Sequence, residues 1–455
     1  MLHGLLECLT DERVKKMLPI YDLNTDDGRA SFETRIGQLR DTASACGEFS
    51  QTAAEVIEAV RRDGDGEVIR QARLWSDPDF TLDRLCVSSQ ELSRAEQSLT
   101  GPLRAAVEKS IEHVNGFQKH LMAVPDSPVV IDGCKLAMRF TPVTSLGIHI
   151  PGTGGGLFST LIMLAVPAIV AGVEPANIVV ACSPPLRRHN VAASDISPTM
   201  LGLCHMLGLQ KVYRMGGPAA FAAMALGTDS VAPVDMIAGP SHPSGQAAKV
   251  QLAGVVGTDG FYGASEIATL ADDTARCDCI AADMIAQAEH DPGKCFLVAW
   301  SKPVIDRVIE QIGQQIQRRS HRTAIESALQ TESCAVLVAD QAQGIEAVNT
   351  IAAEHVNLAV ANPDMLLPAV RNAGEIFLGD NSPVAAGDYY AGPSHCLPTG
   401  TTARFASGIS IYSFLKRTAI VGYPKPMSDQ TVEDIARLAD AEGLDGHAHS
   451  VRIRK

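Results

Sequence analysis

Acids, imidazoles and one amide recur at chemically useful spacings in the last two-fifths of this 455-residue chain. Gln287-Ala-Glu-His290 closes an apolar helical stretch just before Asp291-Pro292-Gly293. Residues three apart share a helix face, so Gln287 and His290 can reach one ligand, although a histidine at that end of a helix also complements the macrodipole. Glu354-His355 sets a carboxyl beside an imidazole among small and apolar neighbours, an environment that perturbs both pKa values and suits acid–base work. If helical, the two side chains diverge by about 100° and serve different atoms of a substrate. A plain buried polar pair fits the same residues. The stretch from Gly387-Asp388 to His395 is a loop dense in turn formers that carries an acid and an imidazole, and such loops often hold function. Glu442 and His447 stand on the C-terminal tail, where a surface histidine is the simpler account.

A glycine-rich turn, Pro151-Gly-Thr-Gly-Gly-Gly156, lies between an apolar strand and an apolar helix, where backbone N–H groups can hold an anion. Its glycines do not have the dinucleotide spacing and no acid ends the following strand, so a tight structural turn fits equally well.

Composition narrows the classes. A formal net charge of −14 argues against nucleic-acid or anionic-membrane partners, and the basic runs Arg187-Arg188, Arg318-Arg319 and Arg452-Ile-Arg-Lys455 are short enough to be solvated surface. Eleven scattered cysteines make no disulfide framework, which points to a reducing, cytoplasmic setting. Cys277-x-Cys279 lacks the second pair that a structural zinc site needs. Asp11, Glu12 and Arg13 interrupt any signal-peptide core, and the apolar stretch Leu157–Val173 falls short of the roughly 20 residues needed to span a bilayer.

The elements that must position the polar residues follow a βαβ rhythm. From Leu146 short apolar strands alternate with glycine turns and apolar helices, which predicts parallel strands covered on both sides. The expected fold is α/β: two doubly wound Rossmann-like domains, one inserted in the other, plus small terminal helical modules. Residues 1–45 are read as an N-terminal helical arm, 46–145 with 266–410 as the first, discontinuous domain, 146–265 as the inserted domain and 411–455 as a C-terminal module. Amphipathic helix is expected over 50–63 and over 88–118, and a strand-rich passage over 129–140.

In this order and spacing the four polar segments resemble the histidinol dehydrogenase family, from about Ser50 to the C-terminus. Phe377-Leu-Gly-Asp380, Thr402-Ala-Arg-Phe405 and Phe414-Leu-Lys-Arg417 are similar as well. The resemblance implies a domain-swapped homodimer that oxidises L-histidinol to L-histidine through an aldehyde with two NAD. It implies zinc on Gln287, His290 and Asp388, with His447 supplied by the partner subunit. It further implies His355 as the base for the alcohol proton, Glu354 as the activator of water, and Ser265, His395 and Glu442 as substrate contacts.

Three departures fall where the family contacts its nicotinamide cofactor. His149 stands for a tyrosine, Ala219 for a glutamine and His242 for an asparagine, which implies altered cofactor binding. Ala264 and Ala353 replace prolines beside the site, changes that read as packing adjustments. Two other readings follow: a relative acting on another small chelating alcohol such as a sulfonated diol, and a zinc-bound dimer without redox activity.

Overall fold

The computed structural model describes residues 17–43, 47–122, 128–152, 156–185, 195–290 and 293–454. The centre of the glycine turn at 153–155 and the Arg187-Arg188 pair lie outside the described residues. Its strands are β1 (Ile20–Asp22), β2 (Val129–Ile131), β3 (Cys134–Pro142), β4 (Leu146–Ile150), β5 (Ile178–Cys182), β6 (Lys211–Tyr213), β7 (Met236–Ala238), β8 (Gly257–Thr258), β9 (Glu266–Ala271), β10 (Lys294–Ala299), β11 (Cys334–Leu337), β12 (His355–Ala359), β13 (Glu375–Leu378) and β14 (Leu415–Gly422).

Two parallel sheets carry the molecule, a five-stranded one in the order β6-β5-β4-β7-β8 and a six-stranded one in the order β1-β11-β10-β9-β12-β13. Both are doubly wound. Alternate residues of one strand point to opposite faces, and here each face has its own core. Ile178, Val180 and Cys182 of β5 join one cluster, while Val179 and Ala181 join another. Cys295, Leu297 and Ala299 of β10 face one way, and Phe296 and Val298 the other. Strands buried on both faces explain why β5 and β10 read as unbroken apolar runs.

The helices before the first sheet do not pack as the sequence suggested. The helices Glu48–Asp63, Asp65–Trp75, Ser89–Ser98 and Gly101–Leu121 cover the five-stranded sheet: Val56, Ile57, Val60 and Val68 join one of its cores, and Leu92, Val107 and Val114 the other. Backbone pairing adds to this. Val87 N–H donates to Val212 O at 2.8 Å and Arg214 N–H to Leu85 O at 2.8 Å. The buried Arg214 guanidinium also binds Asp195 and Glu91, each at 2.7 Å. The helices between 48 and 121 therefore pack with the 146–265 unit rather than with 266–410, while β2 and β3 of the same stretch form a separate sheet with β14. The physical reason is that amphipathic periodicity fixes which face of a helix is buried, not which sheet it is buried against.

The N-terminal segment also differs from a free helical arm. β1 pairs with β11 as the edge of the six-stranded sheet, and Phe32, Ile36 and Leu39 of the helix Asp26–Thr42 enter the core on one side of it. The expected helix over 88–118 is broken at Thr100-Gly101, where Gly101 adopts φ +62°. Finally, β14 pairs antiparallel with β3, so the C-terminal module contributes a strand to a three-stranded sheet ordered β14-β3-β2. Beyond it the helices Asp429–Ala441 and Asp445–Arg452 pack on a small core of Val432, Ala436, Ala439, Ala448 and Val451.

Candidate active site

In the six-stranded sheet the polar residues gather at the amino ends of the strands. Glu266 opens β9, His355 opens β12 and Glu375 opens β13. The helix Gln341–Ile351 ends on Ala352, held left-handed at φ +48°, which costs an alanine on the order of 1 kcal/mol and turns the chain sharply into Glu354. Glu354 and His355 are therefore not helical. They bracket one residue of the neighbouring strand: Glu354 Oε2 accepts from Glu266 N at 3.0 Å, and His355 Nδ1 lies 3.1 Å from Glu266 O.

That second contact fixes the tautomer. A carbonyl oxygen can only accept, so Nδ1 carries the proton and Nε2 presents its lone pair. Nε2 is buried, has no hydrogen-bond partner and lies 3.9 Å from Asp388 Oδ1. Burial pushes the His355 pKa down to about 4, the charges of His395 and His290 press the same way, and Asp388 opposes them. The imidazole is thus a neutral base at physiological pH.

Glu354 is tuned in the opposite direction. Burial lifts its carboxyl well above the usual range and the charges of Asp388 and Glu266 lift it further, against hydrogen bonds from Ser265 and Glu266 N–H. Ser265 Oγ donates to Glu354 Oε2 at 2.5 Å, and Gln287 Nε2 donates to that same hydroxyl oxygen. Two adjacent groups with pKa values driven in opposite senses have the tuning that divided acid and base roles require.

Gln287 ends the helix Cys277–Ala288, with its Nε2 spent on Ser265 and its Oε1 buried and unpartnered. Asp388 comes from the short helix Val384–Tyr389, and its oxygen is 3.8 Å from His395 Nδ1. His395 Nδ1–H donates to Asp388 O at 2.8 Å, and its Nε2 accepts from Thr160 Oγ1 at 3.1 Å. Thr160 sits in the first turn of the helix Phe158–Ala171, which follows the glycine turn at the carboxyl edge of the five-stranded sheet. The site therefore lies where that edge meets the amino edge of the six-stranded sheet.

Gln287, His290, Asp388, Glu354, His355, Ser265 and His395 come together here; His290 is exposed but close enough to influence both histidines. Glu442 and His447 do not join them within the chain: both are exposed on the small C-terminal core. Among the described residues no three His, Cys, Asp or Glu side chains form a metal cage by themselves. Zinc nevertheless fits the residues present, because the orphaned Gln287 Oε1 is an oxygen donor with no other partner and Asp388 adds a carboxylate 3.9 Å from the unpartnered His355 Nε2.

The three altered cofactor positions separate. His149 is buried at the end of β4, with Nδ1 2.8 Å from Pro240 O and Nε2 accepting from Gly217 N at 3.1 Å and Ser183 Oγ at 3.2 Å. Burial lowers its pKa to about 4, so this imidazole is neutral and fully used inside the protein. Ala219 is buried and apolar. Only His242 is exposed, capping the helix Pro243–Leu252 and meeting Phe49 edge-on at 5.3 Å.

Three polar residues escaped sequence reading: Thr160, Glu375 and Asp283. Glu375 is pushed up to about 7 by burial and by Asp388, and its Oε2 has no partner. Asp283 precedes Gln287 by four residues, a helical spacing that could have flagged it.

Fold and site together define an α/β enzyme with a carboxyl and an imidazole buried side by side. The family model of histidinol dehydrogenase matches residues 39–455, and the chain belongs to that family. It is similar to the histidinol dehydrogenase of Desulfotalea psychrophila, with 35% identity over 437 residues covering 95% of this chain and 98% of the relative. It is similar also to that of Bacillus subtilis, with 33% identity over 422 residues covering 92% and 96%. The crystal structure of histidinol dehydrogenase from Elizabethkingia anophelis superposes with a TM-score of 0.86 at 26% identity, covering 96% of this chain and 98% of that one.

Proposed function

We propose that this chain oxidises L-histidinol to L-histidine by way of the aldehyde, and that His355 and Glu354 carry the two proton transfers. The observation that supports this reading most is the pairing around Glu266, which leaves His355 Nε2 as a free neutral base beside a carboxyl of raised pKa. His355 takes the alcohol proton as hydride leaves the carbinol carbon. Glu354 then takes a proton from the water that adds to the aldehyde, and the second hydride leaves. His355 Nδ1 lies 3.7 Å from Glu354 Oε2, so the two side chains stand next to each other in the site.

Gln287, His290 and Asp388 would hold zinc, with His447 supplied by a partner subunit, and Glu442 would contact the substrate. When bound, zinc orients a chelating amino alcohol and polarises its oxygen. Two features support a swapped homodimer: the candidate ligand set is short by one histidine, and His447 is exposed on a module with only five buried apolar residues of its own. The apolar Val129, Ile131 and Val421 share one face of the β14-β3-β2 sheet and are exposed as well, as a face covered by a second copy would be.

NAD would supply the hydride acceptor. The carboxyl edge of the five-stranded sheet, where strand order reverses between β4 and β7, is where this fold class holds dinucleotides. The space beside Gly217 is open, since a Cβ there would meet nothing within 4 Å, but Gly217 N–H is spent on His149, and neither His149 nor Ala219 offers the ligand a polar side-chain atom. This arrangement also favours a second reading, a relative with different cofactor demands acting on another small chelating alcohol.

Zinc-loaded protein incubated with L-histidinol and NAD should produce NADH, and turnover should vanish in Glu354→Gln and His355→Asn. Turnover only with other amino alcohols or diols would favour the second reading. No reduction of either nicotinamide cofactor with any of these substrates, despite bound zinc, would remove both.

A further inference from the structure

The loop after the helix Val384–Tyr389 carries His395 and leaves the six-stranded sheet, yet helices that cover the other sheet hold it. The helix Gly101–Leu121 provides two donors: Ser110 Oγ to Tyr389 O at 2.6 Å, and His113 Nδ1 to Tyr390 O at 3.0 Å. The helix Phe158–Ala171 provides two further contacts. Thr160 Oγ1 donates to His395 Nε2 at 3.1 Å, and Met163 O accepts from Ser394 Oγ at 2.9 Å. Cys396, next in the chain, is buried in a core of the five-stranded sheet.

The sequence of the helix Phe158–Ala171 explains why it can receive the loop. Ser159 and Thr160 are its only polar residues, and Thr160 is 1% exposed. A hydroxyl buried that deeply is costly unless it is hydrogen-bonded, and the His395 imidazole is its partner. Met163 lies three residues on, on the same helix face. Its carbonyl would ordinarily accept from the residue four positions later, but that residue is Pro167, which has no N–H. Ser394 takes up the carbonyl instead. His395 is fixed from both sides, since Nδ1–H donates to Asp388 O at 2.8 Å and the Nε2 lone pair is filled by Thr160. A continuous path thus runs from a helix that starts at the carboxyl edge of the five-stranded sheet, through one hydroxyl and one imidazole, to Asp388 at the amino edge of the other sheet.

We propose that Thr160 is a positioning residue that fixes His395 and the Asp388 loop against the helix at the cofactor edge, and that cofactor and substrate bind with positive coupling through this joint. A ligand that orders the start of the helix leaves less ordering of His395 to be supplied by a ligand on the other side, and the effect is reciprocal. The coupling rests on the reading above of where NAD and substrate bind, but the joint is a property of the ligand-free fold.

Thr160→Val removes the hydroxyl and keeps a side chain of similar size, whereas Thr160→Ser keeps the hydroxyl. L-Histidinol and NADH cannot react with each other, so calorimetry of L-histidinol binding at saturating zinc, with and without NADH, reads the coupling directly. In the parent, NADH should tighten L-histidinol binding about fivefold or more. In Thr160→Val the affinity should fall on the order of tenfold, as expected when one buried acceptor loses its donor, and the NADH effect should disappear. Thr160→Ser should restore both. Amide hydrogen exchange over 389–396 in ligand-free protein should quicken in Thr160→Val while the Gln341–Ile351 helix is unaffected. Unchanged exchange over 389–396 would overturn the joint. L-Histidinol affinity in Thr160→Val equal to that of the parent would overturn the positioning role, and a parent indifferent to NADH would overturn the coupling. If the parent binds no L-histidinol, the functional reading and the coupling fail together, and the exchange experiment still decides whether the joint exists.

Discussion

Ser265 Oγ donates to Glu354 Oε2 at 2.5 Å and is itself hydrogen-bonded by Gln287 Nε2, so one hydroxyl couples the proposed water activator to a proposed metal ligand. Ser265→Ala removes a bond that holds the Glu354 pKa down and leaves the Gln287 amide without its partner. The acid limb of the kcat profile should move to higher pH, and kcat should fall about 10–100-fold, the usual range for outer-shell partners. A pH–rate series on the aldehyde half-reaction measures it. An unmoved acid limb would separate Ser265 from Glu354.

The proposed swap makes a prediction by complementation. His290→Ala and His447→Ala homodimers should each lose zinc and activity. Mixed dimers of the two should regain activity at one of their two sites, because one site then draws His290 and His447 from unmutated positions on different chains. Subunits exchanged under mild denaturation and assayed after refolding provide the measurement. If mixtures stay as inactive as the parents while each variant is folded, the histidine does not cross between chains.

Glu375 bears on stability rather than turnover. Its folded-state pKa, about 7, lies above the 4.5 of an ordinary glutamate. The folded protein therefore binds more protons than the unfolded chain between those values, and stability falls as pH rises from 4.5 to 7. The full effect is on the order of 3 kcal/mol. In metal-free protein, the stability difference between Glu375→Gln and the parent should shift by that amount in favour of the variant between pH 4.5 and 8. Urea unfolding at several pH values tests this, and parallel curves would mean that Glu375 does not titrate in this range.

His149 holds Ser183, Gly217 and Pro240 around the carboxyl edge of the five-stranded sheet. His149→Ala should loosen those turns and raise the KM for NAD at least about tenfold, the equivalent of roughly 1.4 kcal/mol, with zinc content unchanged. Steady-state kinetics with metal analysis would show it. A KM for NAD equal to that of the parent would detach the edge from cofactor binding.

Much of the site was legible because its chemistry is carried by local words: Gln287 with His290, Glu354 with His355, Asp388 with His395. Residue type and short spacing encode these directly. Thr160 and Asp283 were not legible, because a threonine and an aspartate in apolar helices become meaningful only through what lies across from them, His395 in one case and Asn357 in the other.

By itself the sequence determined the α/β class, most strand and helix positions and the candidate chemistry, since hydrophobic periodicity and turn residues act over a few positions. Tertiary structure alone decided that residues 47–122 cover the first sheet, that β1 closes the edge of the second, and that Glu354 and His355 straddle Glu266 at the amino end of a strand. Those outcomes depend on contacts between segments far apart in the chain. An amphipathic helix specifies a buried face but not its partner, and a carboxyl and an imidazole acquire their roles only once burial and a neighbouring backbone have set their protons.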